Sequence, residues 1–128
     1  MFQQTKEQWL DEGDSLYGAE RYQEAIAAYE QALNLDNSYA NAYDSKGNAL
    51  SKLERYEEAL AAFEQAVRFD PTKALYQSDR ADALYDLERY QEALDAYEQT
   101  LRIDPTDVHS LNGCGNVLYD LERYQEAV

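Results

Sequence analysis

His109 and Cys114 are the single histidine and the single cysteine in a chain of 128 residues. Asp107, His109 and Ser110 fall within four consecutive positions and supply the three side-chain types of a nucleophilic triad. A triad needs its base oriented by a third group and its nucleophile presented on a sharp turn. This chain has no Gly-x-Ser-x-Gly elbow, and no second base lies nearby in sequence. His109 and Cys114 lie five residues apart, but two soft ligands do not complete a zinc site. The many carboxylates lack the Asp-x-Asp-x-Asp-Gly spacing of a calcium loop, and read as solvated charge on helical faces. These residues predict no enzyme, no cofactor and no metal centre, with Cys114 as a buried packing thiol.

Charge narrows the partners. Twenty-six acidic and 11 basic side chains give a formal charge of −15 and a pI near 4.2. Such a chain repels phosphate, so neither nucleic acid nor an anionic membrane is the expected partner. With 45% apolar and 29% charged residues, the composition is that of a folded globular protein. One cysteine allows no intrachain disulfide. The N-terminal residues up to Trp9 lack the basic-then-apolar order of a signal peptide. No stretch approaches the roughly 18 apolar residues that span a bilayer. The expected location is the cytoplasm.

The elements that position these residues follow from a repeat. Glu-Arg-Tyr-(Gln/Glu) begins at Glu20, Glu54, Glu88 and Glu122, a constant spacing of 34 residues. A fixed period of that length means one supersecondary unit stacked on itself, each covering the apolar face of its neighbour. The units are 6–39, 40–73, 74–107 and a truncated 108–128. In the second, Tyr43, Gly47 and Leu50 form one helical stripe, and Ala59, Leu60, Phe63, Ala66 and Val67 form another. The spacing predicts helices from Ala40 to about Leu53 and from about Tyr56 to Phe69. Pro71 and Pro105, preceded by Asp70 and Asp104, stop the second helices, and Asn37 is a weaker stop in the first unit. Thr5 with Gln8 fits a capping box, so helix begins near Lys6.

Small residues recur at expected helix crossings: Gly13, Gly47, Ala81 and Gly115; Ala25, Ala59, Ala93 and Ala127; Ala32, Ala66 and Thr100. Leu16, Leu50, Leu84 and Leu118, with Tyr29, Phe63 and Tyr97, are the large residues that fill beside them. Thr100 is expected to bond back to a carbonyl one turn earlier. This constellation resembles the tetratricopeptide repeat family, whose pattern is Trp-x2-Leu-Gly-x2-Tyr, Ala-x3-Phe, then Pro. Here it runs Trp9, Gly13, Leu16 with Ala25-x3-Tyr29, then Tyr43, Gly47, Leu50 with Ala59-x3-Phe63 and Pro71. Gln77, Ala81 and Leu84 continue with Ala93-x3-Tyr97 and Pro105, and Leu111, Gly115 and Leu118 open the last unit. Glu12, Lys46, Arg80 and Cys114 depart from the family's leucine. Glu12, Lys46 and Arg80 read as long charged stems lying along apolar surface, with a Glu12–Lys46 ion pair as the alternative.

The resemblance implies an all-α fold, a right-handed superhelix of stacked antiparallel hairpins whose concave groove is lined by first helices and holds a peptide. Carried onto this sequence, the groove positions are Asp14 and Tyr17; Asn41, Asp44, Asn48 and Lys52; Ser78, Asp82, Tyr85 and Asp86; and His109, Asn112, Asn116, Tyr119 and Asp120. Asp14, Asn48, Asp82 and Asn116 alternate acid and amide along one rung, and an amide can both donate to and accept from a peptide backbone. The basic clamp by which some family members hold an acidic terminus is missing, since Lys52 is the sole basic residue among these positions. The expected function is therefore a protein-interaction module for an extended, neutral to basic segment. The alternatives are a spacer or self-assembling rod, and a regulatory segment of a larger protein. An RNA reader of 35-residue helical repeats conflicts with the period and the charge. In the last unit, Leu118, Leu121, Tyr124 and Val128 predict self-association through that end or fraying of 124–128.

Overall fold

The computed structural model describes residues 3–127, with the backbone alone at 124, 126 and 127, and divides into two compact units. The first unit contains α1 (Lys6–Gly18), α2 (Tyr22–Leu35), α3 (Ala40–Lys52) and α4 (Tyr56–Phe69). The second contains α5 (Ala74–Asp86), α6 (Tyr90–Ile103) and α7 (Val108–Ala127). No strand occurs among the described residues.

In the first unit α1 packs on α2, α3 on α4, and α2 on α3. In the second, α6 packs against both α5 and α7. Helix α1 starts where Thr5 and Gln8 satisfy each other reciprocally: Gln8 N donates to Thr5 Oγ1 at 3.1 Å and Thr5 N to Gln8 Oε1 at 2.8 Å. The second helix of each hairpin buries one stripe, which in α4 is Ala59, Leu60, Ala62, Phe63 and Ala66. Ala25, Ala59 and Ala93 are fully buried, as are Ala32, Ala66 and Thr100, so these crossings lie where the sequence placed them. Thr100 Oγ1 donates to Ala96 O at 3.0 Å, which satisfies a buried hydroxyl inside its own helix.

The Glu-Arg-Tyr step is the hairpin turn. Glu20, Glu54 and Glu88 are left-handed, with φ of 61°, 59° and 59°. At the first turn Glu20 N donates to Tyr17 O and Arg21 N to Leu16 O, each at 2.9 Å, and the same bonds recur at Glu54–Arg55 and Glu88–Arg89. That is a Schellman ending, which usually takes glycine because a left-handed L-residue costs roughly 1–2 kcal/mol. Glu54→Gly is accordingly expected to raise the unfolding midpoint, and Glu54→Val to lower it by about 1 kcal/mol or more. Unchanged midpoints in both variants would show that the turn stores no strain.

The fourth copy does not turn. Helix α7 runs on through Glu122 to Ala127. In the first hairpin the left-handed turn is followed by a helix that buries Ala25, Ile26, Ala28, Tyr29 and Ala32, and that burial offsets the backbone cost. Leu118, expected as a packing residue, is 50% exposed, and Cys114 is half-buried rather than buried. Tyr124, Ala127 and Val128, also named as packing positions, lie outside the described side chains.

Second helices end in a polar turn. Asp36 Oδ1 accepts from Ser38 N at 3.1 Å and Ser38 Oγ at 2.8 Å, and Asp104 does the same with Thr106. Lys6 Nζ also reaches Asp36 Oδ2 at 2.6 Å. The bonds from Lys6 and then Ser38 hold the Asp36 carboxyl down at about 2. A depressed carboxylate contributes stability that is complete above its unfolded value, about 3.9, and is lost as pH falls towards the folded value. Acid unfolding of Asp36→Asn should therefore be less pH-dependent between about pH 4 and pH 2. An unchanged acid limb would mean that the contact is absent in solution.

Candidate functional site

The candidate site grows from how an aromatic ring sits on a first helix. Gly13 leaves α1 without a side chain where Tyr29 crosses it, and a Cβ there would stand 2.4 Å from Tyr29 Cε1. The ring can lie flat against α1 only because of that glycine. Its hydroxyl then reaches the next residue, donating to Asp14 Oδ1 at 2.7 Å. Phe63 occupies the same kind of seat against Gly47, at 2.5 Å, and carries no hydroxyl to offer the neighbouring Asn48. In the second unit Tyr97 donates to Asp82 Oδ1 at 2.5 Å. Its ring is approached from α7 by Gly113, where a Cβ would meet Tyr97 Cζ at 2.6 Å.

A packing expectation is corrected here. Gly115 was expected to hold a crossing, yet a Cβ on it would meet nothing within 4 Å. Gly113 makes the close approach, because α7 meets the preceding hairpin there, while among the described residues nothing lies over Gly115.

In the first unit Asp14, Tyr17, Tyr29, Ser45 and Asn48 line a cleft of about 140 Å³ between α1 and α3. Three of the five were expected groove residues. Tyr29 and Ser45 were missed, although a tyrosine or phenylalanine 15 residues after each rung residue alternates in step with aspartate or asparagine: Asp14–Tyr29, Asn48–Phe63, Asp82–Tyr97. Tyr17 stacks edge-on against Tyr22 with centroids 5.3 Å apart. Asn48 Nδ2 donates to Asp44 Oδ2 at 3.4 Å, the long end of hydrogen bonding. Asn41 is exposed, accepting from Ser45 Oγ at 3.5 Å, and Lys52 is exposed in the last turn of α3.

Two expected positions do not face solvent. Asp44 and Ser78 are each 4% exposed, and Ser78 Oγ donates to Leu75 O at 3.0 Å. They share a repeat register with Leu10, itself buried, so this position belongs to the packing between helices and not to an open face. Asn112, in the same register on α7, is exposed.

In the second unit α5 and α7 hold a comparable set. His109 Nε2 lies 2.9 and 3.0 Å from the two oxygens of Asp82, and its ring is edge-on to Tyr97 at 6.2 Å. The Tyr85 hydroxyl donates to Asp120, and Tyr85 meets Tyr90 edge-on at 5.5 Å. Asn116 and Tyr119 are exposed, and Arg123 lies over the Tyr119 ring at 5.7 Å.

Protonation follows from these contacts. Burial first, then the bonds to Asp14 and Asp82, push the Tyr29 and Tyr97 phenols far above their ordinary range. Both hydroxyls therefore stay donors at any working pH. The bond to Asp120, followed by burial, pushes the Tyr85 phenol up to about 12. Burial and then repulsion from Asp82 raise the Asp86 carboxyl. Burial pushes the Cys114 thiol up, away from the thiolate form.

This chemistry is that of a contact surface. The cleft is below the roughly 300 Å³ typical of small-molecule pockets. Two larger recesses in the first unit, one around Trp9 and Leu16 and the other around Tyr43 and Leu50, repeat residue for residue at the 34-residue period. They are grooves between paired helices, and neither joins a nucleophile to a base. Lys46, beside the second, pairs with Glu30 at 3.7 Å, not with Glu12. No group of three or more metal-ligating side chains gathers among the described residues. Among the described residues no helix is long and apolar enough to cross a membrane.

Comparison with known proteins places this architecture. No curated protein matches the sequence. Among solved structures, the first TPR of Spaghetti (RPAP3), bound to the HSP90 peptide SRMEEVD, superposes with a TM-score of 0.90 at 20% identity, covering 95% of this chain and 97% of that one. The Sgt2 TPR domain from Aspergillus fumigatus gives 0.89 at 22% identity, covering 94% and 82%. The second TPR domain of human RPAP3, in complex with the HSP70 peptide SGPTIEEVD, gives 0.82 at 23% identity, covering 85% and 91%. At these identities the likeness is one of fold, an all-α solenoid of helix hairpins. Residues 10–74 match the family described as Tetratricopeptide repeat, and residues 81–122 match TPR repeat. The chain belongs to the tetratricopeptide repeat family.

Proposed function

We propose that this protein is an interaction module that binds an extended, neutral to basic segment of a partner protein on the faces of its first helices. The observation that carries this reading is the cleft of Asp14, Tyr17, Tyr29, Ser45 and Asn48, where acceptors and an amide surround aromatic surface. Aromatic area anchors a ligand, and amides read its backbone. Within the second unit Asp82, Tyr85, Asn116 and Tyr119 offer the same kinds of group. Two of those solved structures hold peptides that end in Glu-Glu-Val-Asp. A chain of charge −15 with Lys52 as the sole basic residue among its site positions disfavours such acidic termini. The same charge argues against nucleic acid and anionic membranes, and the reading is of a binding protein, not an enzyme, working in the cytoplasm. The exposed Val108, Leu111 and Leu118 on α7 add weak self-association at high concentration.

An unbiased peptide-library selection tests the proposal. Neutral to basic winners, without preference for a free C-terminus, are the expected result. Winners dominated by acidic C-terminal sequences would overturn it.

A further inference from the structure

The alternation of carboxylate and amide along the first helices is matched by an alternation beneath it. Asp14 and Asp82 each accept from a buried tyrosine hydroxyl, Tyr29 at 2.7 Å and Tyr97 at 2.5 Å. Those tyrosines are 1% and 3% exposed. Asn48 adjoins Phe63, which fills the same seat without a hydroxyl. A buried phenol needs an acceptor, and a carboxylate at the rung supplies one. An asparagine above phenylalanine has no such obligation.

We infer that Tyr29 and Tyr97 are positioning residues for ligand selection: their hydroxyls fix Asp14 and Asp82 as oriented acceptors for a cationic or hydrogen-bond-donating ligand group, while Asn48, with no hydroxyl beneath it, exchanges its long 3.4 Å bond to Asp44 for the peptide backbone. The inference rests on the binding reading above. It deepens that reading by assigning preference for basic residues to two Tyr–Asp pairs and sequence-neutral backbone contact to Asn48.

Asp14 keeps Oδ2 for a ligand, since the Tyr29 hydroxyl occupies Oδ1; at Asp82 the Tyr97 hydroxyl occupies Oδ1 and a ligand would share the carboxylate with His109. The side chain of Asp14 is exposed and that of Asp82 is 39% exposed, so both are in reach of solvent. Asp82 has a further contact, His109 Nε2, lying 2.9 Å from Oδ1 and 3.0 Å from Oδ2. Asp14 has no histidine in the equivalent place, because that register on α3 holds Asn41. The first unit is therefore the simpler of the two to test. A charge-assisted bond to a fixed acceptor is stronger and more directional than one to a mobile side chain, which must lose rotamer freedom on binding.

The test is a selection from one random decapeptide display library, run on the wild-type protein, on Tyr29→Phe/Tyr97→Phe, and on Asn48→Asp/Phe63→Tyr. Tyrosine to phenylalanine keeps the ring in its seat, and circular dichroism checks that each variant is folded. The wild type is expected to enrich lysine and arginine. The tyrosine-less variant should lose that enrichment about threefold or more while keeping binding sensitive to Asn48→Ala. The variant that installs a third Tyr–Asp pair should raise the enrichment. Proton NMR supplies a signature independent of any ligand: slowly exchanging hydroxyl protons from Tyr29 and Tyr97 that disappear on Asp14→Ala and Asp82→Ala. Undiminished basic enrichment in the tyrosine-less variant, or hydroxyl protons indifferent to the aspartates, would overturn the positioning role. Winners insensitive to Asn48→Ala in every variant would instead overturn the binding reading itself.

Discussion

Gly47→Ala is expected to lower stability by about 1–3 kcal/mol, while Gly115→Ala raises it. The two glycines occupy the same repeat register and differ only in what lies over them. A Cβ at Gly47 would stand 2.5 Å from Phe63 Cε1 and 2.7 Å from Cδ1. Phe63 is 2% exposed and packed on every side, so the ring has nowhere to move. At Gly115 a Cβ meets nothing within 4 Å, and alanine gains roughly 0.5–1 kcal/mol over glycine in a helix interior. Urea unfolding of both variants reads the difference directly. Shifts of the same sign and size would show that aromatic seating against the first helices does not hold the hairpins together.

Much of this fold is legible in the sequence because the repeat states each feature more than once. The interval from Glu20 to Glu54 to Glu88 sets the hairpins, and Tyr56–Phe69 is a helix over the range its spacing predicts. Pro71 and Pro105 mark stops that side-chain caps at Asp36 and Asp104 share. Where the sequence misleads, an element had been judged from its own repeat alone. Gly115 looks like Gly13 and Gly47, but the seat is made by the helix that follows, and the described residues contain none over α7. Glu122 matches the turn residues in type, yet α7 stays helical through it. Cys114, expected as buried, is half-buried.

The site was legible in part. Asp14, Tyr17 and Asn48 meet in one cleft, as the rung register implies. Asp44 and Ser78 are buried instead, and Leu10 in their register was the available sign that this position faces the packing. The Tyr29 and Tyr97 hydroxyls were not legible as partners of Asp14 and Asp82, because a tyrosine at an aromatic seat reads as bulk. Only the three-dimensional placement beside Gly13 shows what the hydroxyl can reach.

Binding should depend on the amides. Asn48 and Asn116 stand in the same register on α3 and α7, each beside residues that present aromatic surface. One amide contact to a peptide backbone is worth roughly 0.5–1.5 kcal/mol, so removing two should weaken binding about tenfold or more. Neither side chain is buried, and alanine is a good helix former, so the fold should be unaffected. The field of Asp14, Asp82 and Asp86 should make affinity for a basic peptide fall with added salt, as charges become screened beyond about 10 Å at 0.1 M.

The most direct measurement is the affinity of Asn48→Ala/Asn116→Ala for the peptides selected by the wild-type protein, at low and high salt, with unfolding midpoints recorded alongside. The account predicts a loss of about tenfold or more, weaker binding at high salt for both proteins, and an unchanged midpoint. Wild-type affinity in the double variant, or binding that strengthens with salt, would contradict it.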